Sequence, residues 1–230
     1  MSPRSPKENT GRDGAANRLQ LGAQAWLLRG FLLETTSGAA GIADEIATII
    51  SRAPFRQMFT PGGKRMSVAL TNCGALGWTS DRRGYRYTSQ DPESEEPWPP
   101  MPEAFLRLAR GCALEAGFKG FEPDACLINR YEPGARLSLH RDQDERDFDA
   151  PIVSVSLGLG AVFLFGGLSR SDRPDRVLLE HGDVVVWGGV DRLRYHGVMP
   201  LKESAGTLFH ESPHPLLLRH RINLTFRKAG

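Results

Sequence analysis

The sequence has little cysteine. Its three cysteines, Cys73, Cys112 and Cys126, form no Cys-x-x-Cys pair. A disulfide scaffold and a thiolate zinc knot are therefore excluded, and the three read as reduced thiols of a cytoplasmic protein. There is no apolar run of about 18 residues, and mean hydropathy is −0.34, so no helical membrane span is expected. No apolar stretch follows the basic residues near Met1, so no signal peptide is expected either. There is no charge excess: 29 Lys and Arg against 27 Asp and Glu leave +2. That excludes blanket attraction to nucleic acid but permits a local basic patch. No internal repeat is visible. What is present is ordinary globular material, 40% hydrophobic and 24% charged over 230 residues, enough to bury one core without covalent staples.

Residues 1–17 are polar and rich in Pro, Gly and Ser, and are expected to be a disordered tail. Arg18 to Leu33 alternates, as a short strand entering the fold would. Thr36 or Ser37 can cap a helix whose Ile42, Ile46, Ile49 and Ile50 share one face, with Pro54 ending it. A second helix starts near Pro102, with Phe105, Leu108, Cys112 and Ala116 on its apolar face and Gly117 closing it. Between the helices, residues 60–100 hold two strand-like runs, Arg65–Thr71 and Tyr85–Thr88, among Gly, Pro and acidic clusters. From Asp124 onward short apolar or alternating runs follow one another with Gly, Pro and Asp between them and no helix. That pattern predicts an antiparallel sandwich or barrel. The expected fold is α+β: a tail over 1–17, helices and a small hairpin region over 18–123, and a β-jelly-roll over 124–230, with 18–230 one catalytic domain.

Of six histidines, His140 is the informative one. In His140-Arg141-Asp142, residues i and i+2 of an extended segment face the same side, so an imidazole and a carboxylate converge. His196 lies two strands later on a similar edge. Two His and one carboxylate leave open positions on an octahedral ion, the facial triad of non-haem iron oxygenases. His-x-Asp alone is equally well a surface ion pair. His181-Gly182-Asp183 is a second such string, and its Gly-Asp reads as a turn, so it is assigned a structural role.

The string from Arg221 to Arg227 alternates strictly. Arg221, Asn223, Thr225 and Arg227 share one face; Ile222, Leu224 and Phe226 share the other. If the apolar face packs on the core, the polar face points into the barrel. Two arginines buried there would cost several kcal/mol without anions to meet them, and a small dicarboxylate would satisfy both. Their Cα atoms are about 20 Å apart at strand rise, so both side chains must lean inward to share one ligand. A solvated edge strand is the alternative, and the upstream triad weighs against it.

Taken together, these strings resemble the AlkB family of iron(II)- and 2-oxoglutarate-dependent dioxygenases that repair alkylated nucleic acid. The resemblance runs from about Leu21 to Gly230. It is carried by 53–58 (APFRQM), 60–63 (TPGG), 71–74 (TNCG), 123–131 (PDACLINRY), 137–140 (LSLH) with Asp142, Asp144 and Glu145, 151–158 (PIVSVSLG), 165–168 (FGGL), 180–189 (EHGDVVVWGG) and Arg221-x-Asn223-x-Thr225-x-Arg227. It implies a double-stranded β-helix (jelly-roll) core with N-terminal helices and a nucleotide-recognition lid hairpin. It implies that His140, Asp142 and His196 hold iron(II), with O2 as second cosubstrate. It implies that 2-oxoglutarate lies against Arg221 and Arg227, with Leu127, Asn129, Tyr131, Ser154 and Asn223 also lining its site. Alternation agrees in part, because Leu127, Asn129 and Tyr131 fall on one face.

The family's base pocket maps onto Met66, Trp78, Tyr85, Asp144 and Arg170. Between Gly62 and Gln90, five basic residues (Lys64, Arg65, Arg82, Arg83, Arg86) against Asp81 leave a local charge of +4. Basic residues interleaved with aromatics suit a nucleic-acid strand and one extruded base; a solvated charged loop is the alternative. A cage of Trp78 and Tyr85 with Asp144 beside it would favour a cationic base such as 1-methyladenine or 3-methylcytosine. The implied activity is oxidative demethylation of such bases, with 2-oxoglutarate becoming succinate and carbon dioxide and the methyl leaving as formaldehyde. The expected partner is alkylated DNA, single-stranded in preference, with RNA as the alternative, acted on by a monomer with no membrane contact. Other substrates for the same chemistry and a non-catalytic metal-binding jelly-roll are the rival readings. Two departures from the family stand out. Gln143 follows Asp142 where close relatives carry lysine, which weakens one nucleic-acid backbone contact. Residues 203–213, with His210, are expected to be a longer strand connection than in the family, which puts no ligand in doubt.

Overall fold

A computed structural model describes residues 17–202 and 214–230. The expectations for residues 1–16 and 203–213, including His210, fall outside the described residues.

Strands β1 (Arg18–Gly22), β2 (Ala25–Leu28), β3 (Ala69–Gly74), β6 (Ala125–Tyr131), β8 (Ile152–Gly158), β11 (Val184–Trp187) and β13 (Arg221–Arg227) form a seven-stranded sheet in the order β1-β2-β11-β8-β13-β6-β3. Strands β7 (Leu137–His140), β9 (Ala161–Phe165), β10 (Asp175–Leu179) and β12 (His196–Val198) form a second sheet in the order β10-β9-β12-β7. Every pairing in both is antiparallel. These are the two facing sheets of the expected jelly-roll. Strands β4 (Gly77–Asp81) and β5 (Gly84–Thr88) pair only with each other, as a hairpin apart from both sheets.

The central strands of the large sheet are buried on both faces, because each face meets a different layer. Helices α1 (Gly38–Arg52) and α2 (Glu103–Glu115) bring Ile42, Ile46 and Ile49, and Phe105, Leu108 and Cys112, against one face. There they pack with Val153, Val155, Ile222, Leu224 and Phe226. Ile152, Val185 and Trp187 turn the other way and pack with Phe163, Phe165 and Val198 of the small sheet. Period-2 alternation therefore assigns each residue of β13 to the helix layer or to the barrel interior. No described helix is long and apolar enough to cross a membrane.

Three expectations need correction. Arg18 to Leu33 is a tight hairpin of β1 and β2 followed by a short 3-10 helix (Phe31–Glu34), where one strand was expected. The region between the helices holds three strands, where Arg65–Thr71 and Tyr85–Thr88 were expected. The first of these begins at Ala69 and runs on through Asn72 to Gly74. Asn72 interrupts no pairing: its amide donates to the Trp78 carbonyl at 3.0 Å and its oxygen accepts the Trp78 N–H at 3.0 Å, so the buried polar group is satisfied. The missed strand is β4, whose Gly-Trp-Thr-Ser-Asp string looks like a turn until paired with β5. Finally, β1, β2 and β3 lie upstream of Asp124 yet join the core sheet.

Candidate active site

His196 lies five strands after His140 in the chain, where two were expected. β7 and β12 are nonetheless neighbours, and their register sets His140 directly opposite His196. Gly197 permits the close approach: a Cβ there would lie 2.7 Å from the Leu137 carbonyl oxygen. The imidazole centroids are 4.4 Å apart. Each Nδ1–H donates to a backbone carbonyl two residues earlier, His140 to Ser138 at 2.9 Å and His196 to Arg194 at 3.1 Å. Those bonds leave both Nε2 lone pairs free, the tautomer a metal needs. Asp142 meets them, with Oδ1 3.7 Å from His140 Nε2 and Oδ2 3.8 Å from His196 Nε2. The three ligand atoms lie within 4.8 Å of one another. Burial, reinforced by His140, lowers His196 to about 4, so its ring is neutral at pH 7. Burial opposes charge on Asp142, but Arg227, His196 and His140 outweigh it and hold the carboxyl well below its usual range. Two imidazole nitrogens and one carboxylate are a donor set that fits iron(II).

β13 supplies a wall beside this cluster. Its register sets Arg221, Asn223 and Thr225 against Tyr131, Asn129 and Leu127 of β6 on one side and against Gly158, Ser156 and Ser154 of β8 on the other. The expected interior residues thus share one face across three strands. Asn223 donates to Ser154 Oγ at 2.9 Å and accepts from Thr225 Oγ1 at 2.9 Å.

The two arginines, both expected at the cosubstrate, are not equivalent in their protein partners. Arg227 faces the metal cluster: its Nε and Nη2 donate to Asp142 Oδ2 at 2.9 and 2.5 Å, and Glu145 lies 3.3 Å away. Its charge is met inside the protein. Arg221, 1% exposed, makes no ion pair among the described residues. One amine donates to Ser156 Oγ at 2.9 Å, while its Nε and Nη1 are buried without a partner. Burial pulls its pKa below the ordinary value. A buried guanidinium with two donors unpartnered among the described residues is a fitting partner for a carboxylate.

Comparison with known proteins agrees with this chemistry. A profile of the 2OG-Fe(II) oxygenase superfamily matches residues 24–227. The chain is 58% identical over 192 residues to the alpha-ketoglutarate-dependent dioxygenase AlkB of Salmonella typhimurium, covering 84% of this chain and 85% of that protein. It is 57% identical over 210 residues to AlkB of Escherichia coli, covering 91% and 92%. The chain belongs to the AlkB family of 2OG-Fe(II) oxygenases. The solved structure of OsALKBH1 superposes with a TM-score of 0.76 at 26% identity, covering 92% of this chain and 99% of that one. Iron(II), 2-oxoglutarate and O2 are therefore its cofactor and cosubstrates.

For an AlkB-family member, the base-recognition residues are the next concern. Trp78 and Met66 pack on a small cluster of Met58, Leu70 and Leu127, so the hairpin touches the β6 wall. Trp78 Nε1 donates to Asp144 Oδ2 at 2.9 Å. The expected cage of Trp78 and Tyr85 needs correction. Their rings stack on each other, with centroids 5.4 Å apart and planes 18° apart. A base between them would require about 7 Å, two stacking gaps. Tyr85 instead covers one face of Trp78. Arg170 is exposed on the loop between β9 and β10. Of the basic residues near the hairpin, Arg86 is neutralised by a two-pronged pair with Asp81 at 2.9 and 2.7 Å. Lys64, Arg65, Arg82 and Arg83 stay exposed.

Sequence reasoning missed Tyr87, Glu145, Ser156 and Arg192 as parts of the site. Arg192 donates to the Asp142 carbonyl at 3.0 Å and to Glu145 at 3.2 Å, and Tyr87 donates to Glu145 at 2.6 Å. Glu145 stood in the Asp144-Glu145 string that carried the resemblance. Ser156 could have been found by alternation from Ser154. Nothing in the spacing marked Arg192 or Tyr87.

Proposed function

We propose that this chain repairs alkylated DNA by oxidative demethylation, with 1-methyladenine and 3-methylcytosine in single strands as its substrates. One observation carries the choice of substrate. The hairpin sets an aromatic ring, Trp78, in hydrogen-bond contact with a carboxylate, Asp144, two residues from the ligand Asp142. A flat ring bearing positive charge suits an aromatic face with an anion at its edge. The exposed Lys64, Arg65, Arg82 and Arg83 flank that site and suit phosphates.

His140, Asp142 and His196 would hold iron(II) on one side, leaving the other open. Arg221 would take the distal carboxylate of 2-oxoglutarate, and Asn129, Tyr131, Ser154 and Asn223 would line its length. Arg227, held by Asp142 and Glu145, fixes the Asp142 carboxylate. Bound iron(II) with 2-oxoglutarate and O2 supplies hydroxylation of an N-methyl group, leaving succinate and carbon dioxide. The N-hydroxymethyl base then falls apart to formaldehyde and the normal base. The protein's work is to orient the methyl and exclude water. A methylated base no longer pairs fully, so flipping it out costs less than flipping a normal base. Every proposed residue comes from one chain, so a monomer over 18–230 suffices. Three unpaired, buried thiols suit a cytoplasmic setting.

The test is incubation with a single-stranded oligonucleotide carrying 3-methylcytosine, read by mass, with the same lesion in RNA as a second arm. The reading expects conversion to cytosine in DNA, faster than in RNA. An unchanged DNA strand beside a demethylated RNA strand would move the substrate to RNA. Charge recognition has its own test. Asp144→Ala and Trp78→Ala are expected to lower the turnover ratio of 3-methylcytosine to neutral 1-methylguanine by about 2- to 30-fold. An unchanged ratio in both variants would remove charge as the basis of selection.

A further inference from the structure

The β4–β5 hairpin pairs with no other strand. A two-stranded hairpin is marginal alone, so its order depends on what it docks against. Trp78 lies opposite Tyr87, and Ser80 opposite Tyr85, so all four side chains share one face. That face meets the barrel at two neighbouring carboxylates, Asp144 through Trp78 and Glu145 through Tyr87.

The second contact leads further. Glu145 is buried, its side chain 2% exposed. Its Oε1 accepts the Tyr87 hydroxyl at 2.6 Å and lies 3.3 Å from Arg227 Nε. Its Oε2 accepts from Arg192 at 3.2 Å. Arg227 Nη1 reaches back to the Tyr87 oxygen at 3.4 Å while its Nε and Nη2 hold Asp142. Two carboxylates, Asp142 and Glu145, and two guanidiniums, Arg192 and Arg227, make a closed set of zero net charge with the phenol as its one neutral member. A cation held at Asp142 would compete with Arg227 for that carboxylate, and Arg227 would then rely more on its remaining acceptors, Glu145 and the Tyr87 oxygen.

We propose that Tyr87 is a positioning residue that ties the β4–β5 hairpin to Asp142 by way of Glu145 and Arg227, so that metal binding and hairpin order strengthen each other. The linkage is reciprocal by thermodynamic necessity. If metal at Asp142 tightens the grip of Arg227 on Tyr87, then losing the Tyr87 hydroxyl weakens metal binding. The proposal rests on reading Asp142 as a metal ligand, and the experiment separates the two.

Mn(II), which takes the same nitrogen and oxygen donors, is titrated into wild type and Tyr87→Phe without 2-oxoglutarate. Amide hydrogen exchange of residues 84–88 is followed by mass spectrometry with and without the ion. The Phe ring keeps the packing and removes only the hydroxyl. Wild type is expected to bind Mn(II) and to show slower exchange in 84–88 when bound. Tyr87→Phe is expected to bind about tenfold more weakly, as loss of an outer partner of a metal site does, and to lose the metal-induced slowing. A merely structural hydroxyl would raise exchange equally with and without metal and leave affinity unchanged. That outcome overturns the proposal, as does wild-type behaviour in the variant. Failure of wild type to bind Mn(II) would overturn the ligand assignment and the proposal with it.

Discussion

Alanine at His140, Asp142 or His196 is expected to abolish iron(II) binding and succinate formation, while His181→Ala leaves both intact. The three ligand atoms converge within 4.8 Å, and each imidazole is locked by the backbone carbonyl two residues earlier with Nε2 free. Removing any one leaves two donors, too few to hold a divalent ion at an exchange-limited site. His181 sits in the turn between β10 and β11, where its Nδ1 accepts the Gly158 N–H at 3.0 Å. Burial lowers its pKa, so it serves as a neutral acceptor. Loss of that hydrogen bond alone should cost about 1 kcal/mol of stability, read as a lower midpoint in denaturant. Iron(II) titration of the four variants checks the assignment. Retained binding in His140→Ala with lost binding in His181→Ala would refute it.

Arg221→Ala is expected to raise the 2-oxoglutarate requirement by roughly two to four orders of magnitude, from the 3–5 kcal/mol typical of a buried charge losing its partner. Among the described residues its Nε and Nη1 have no hydrogen-bond partner, so an incoming dianion would satisfy them. Arg227→Ala should behave differently. It strips Asp142 and Glu145 of their shared cation, so iron(II) affinity should fall first and the apparent 2-oxoglutarate requirement only in consequence. Titrating each variant separately with metal and with 2-oxoglutarate distinguishes them. Equal, small changes in both titrations for both variants would mean that β13 is not the cosubstrate wall.

Much of this site was legible because alternation is local. Strand β13 alternates without a break, and β6 does so at Leu127, Asn129 and Tyr131, so each interior residue could be assigned before its partners were known. His140 and Asp142 were legible for the same reason. The structure adds that antiparallel register sets His196 opposite His140, which spacing alone does not supply. Burial of single charges was not legible. Glu145 and Arg192 look like surface residues until the chain between them, 47 positions apart, folds away and brings them to 3.2 Å. The different fates of Arg221 and Arg227 follow from which carboxylates lie near each end of one strand, and that depends on the 141–151 loop. Strand β4 was hidden because its Gly, Ser and Asp are turn formers. The direct stacking of Trp78 on Tyr85 depends on the hairpin register that was missed with it.

The central claim is that one site couples 2-oxoglutarate oxidation to removal of a methyl from a nucleic-acid base. The most direct measurement is the yield of succinate and of formaldehyde from wild type given iron(II), 2-oxoglutarate, O2 and a single-stranded DNA carrying 3-methylcytosine. Equal yields are expected, each matching the cytosine formed, with neither product formed by His196→Ala. Formaldehyde without succinate, or succinate in full yield with every methyl still in place, would contradict the account.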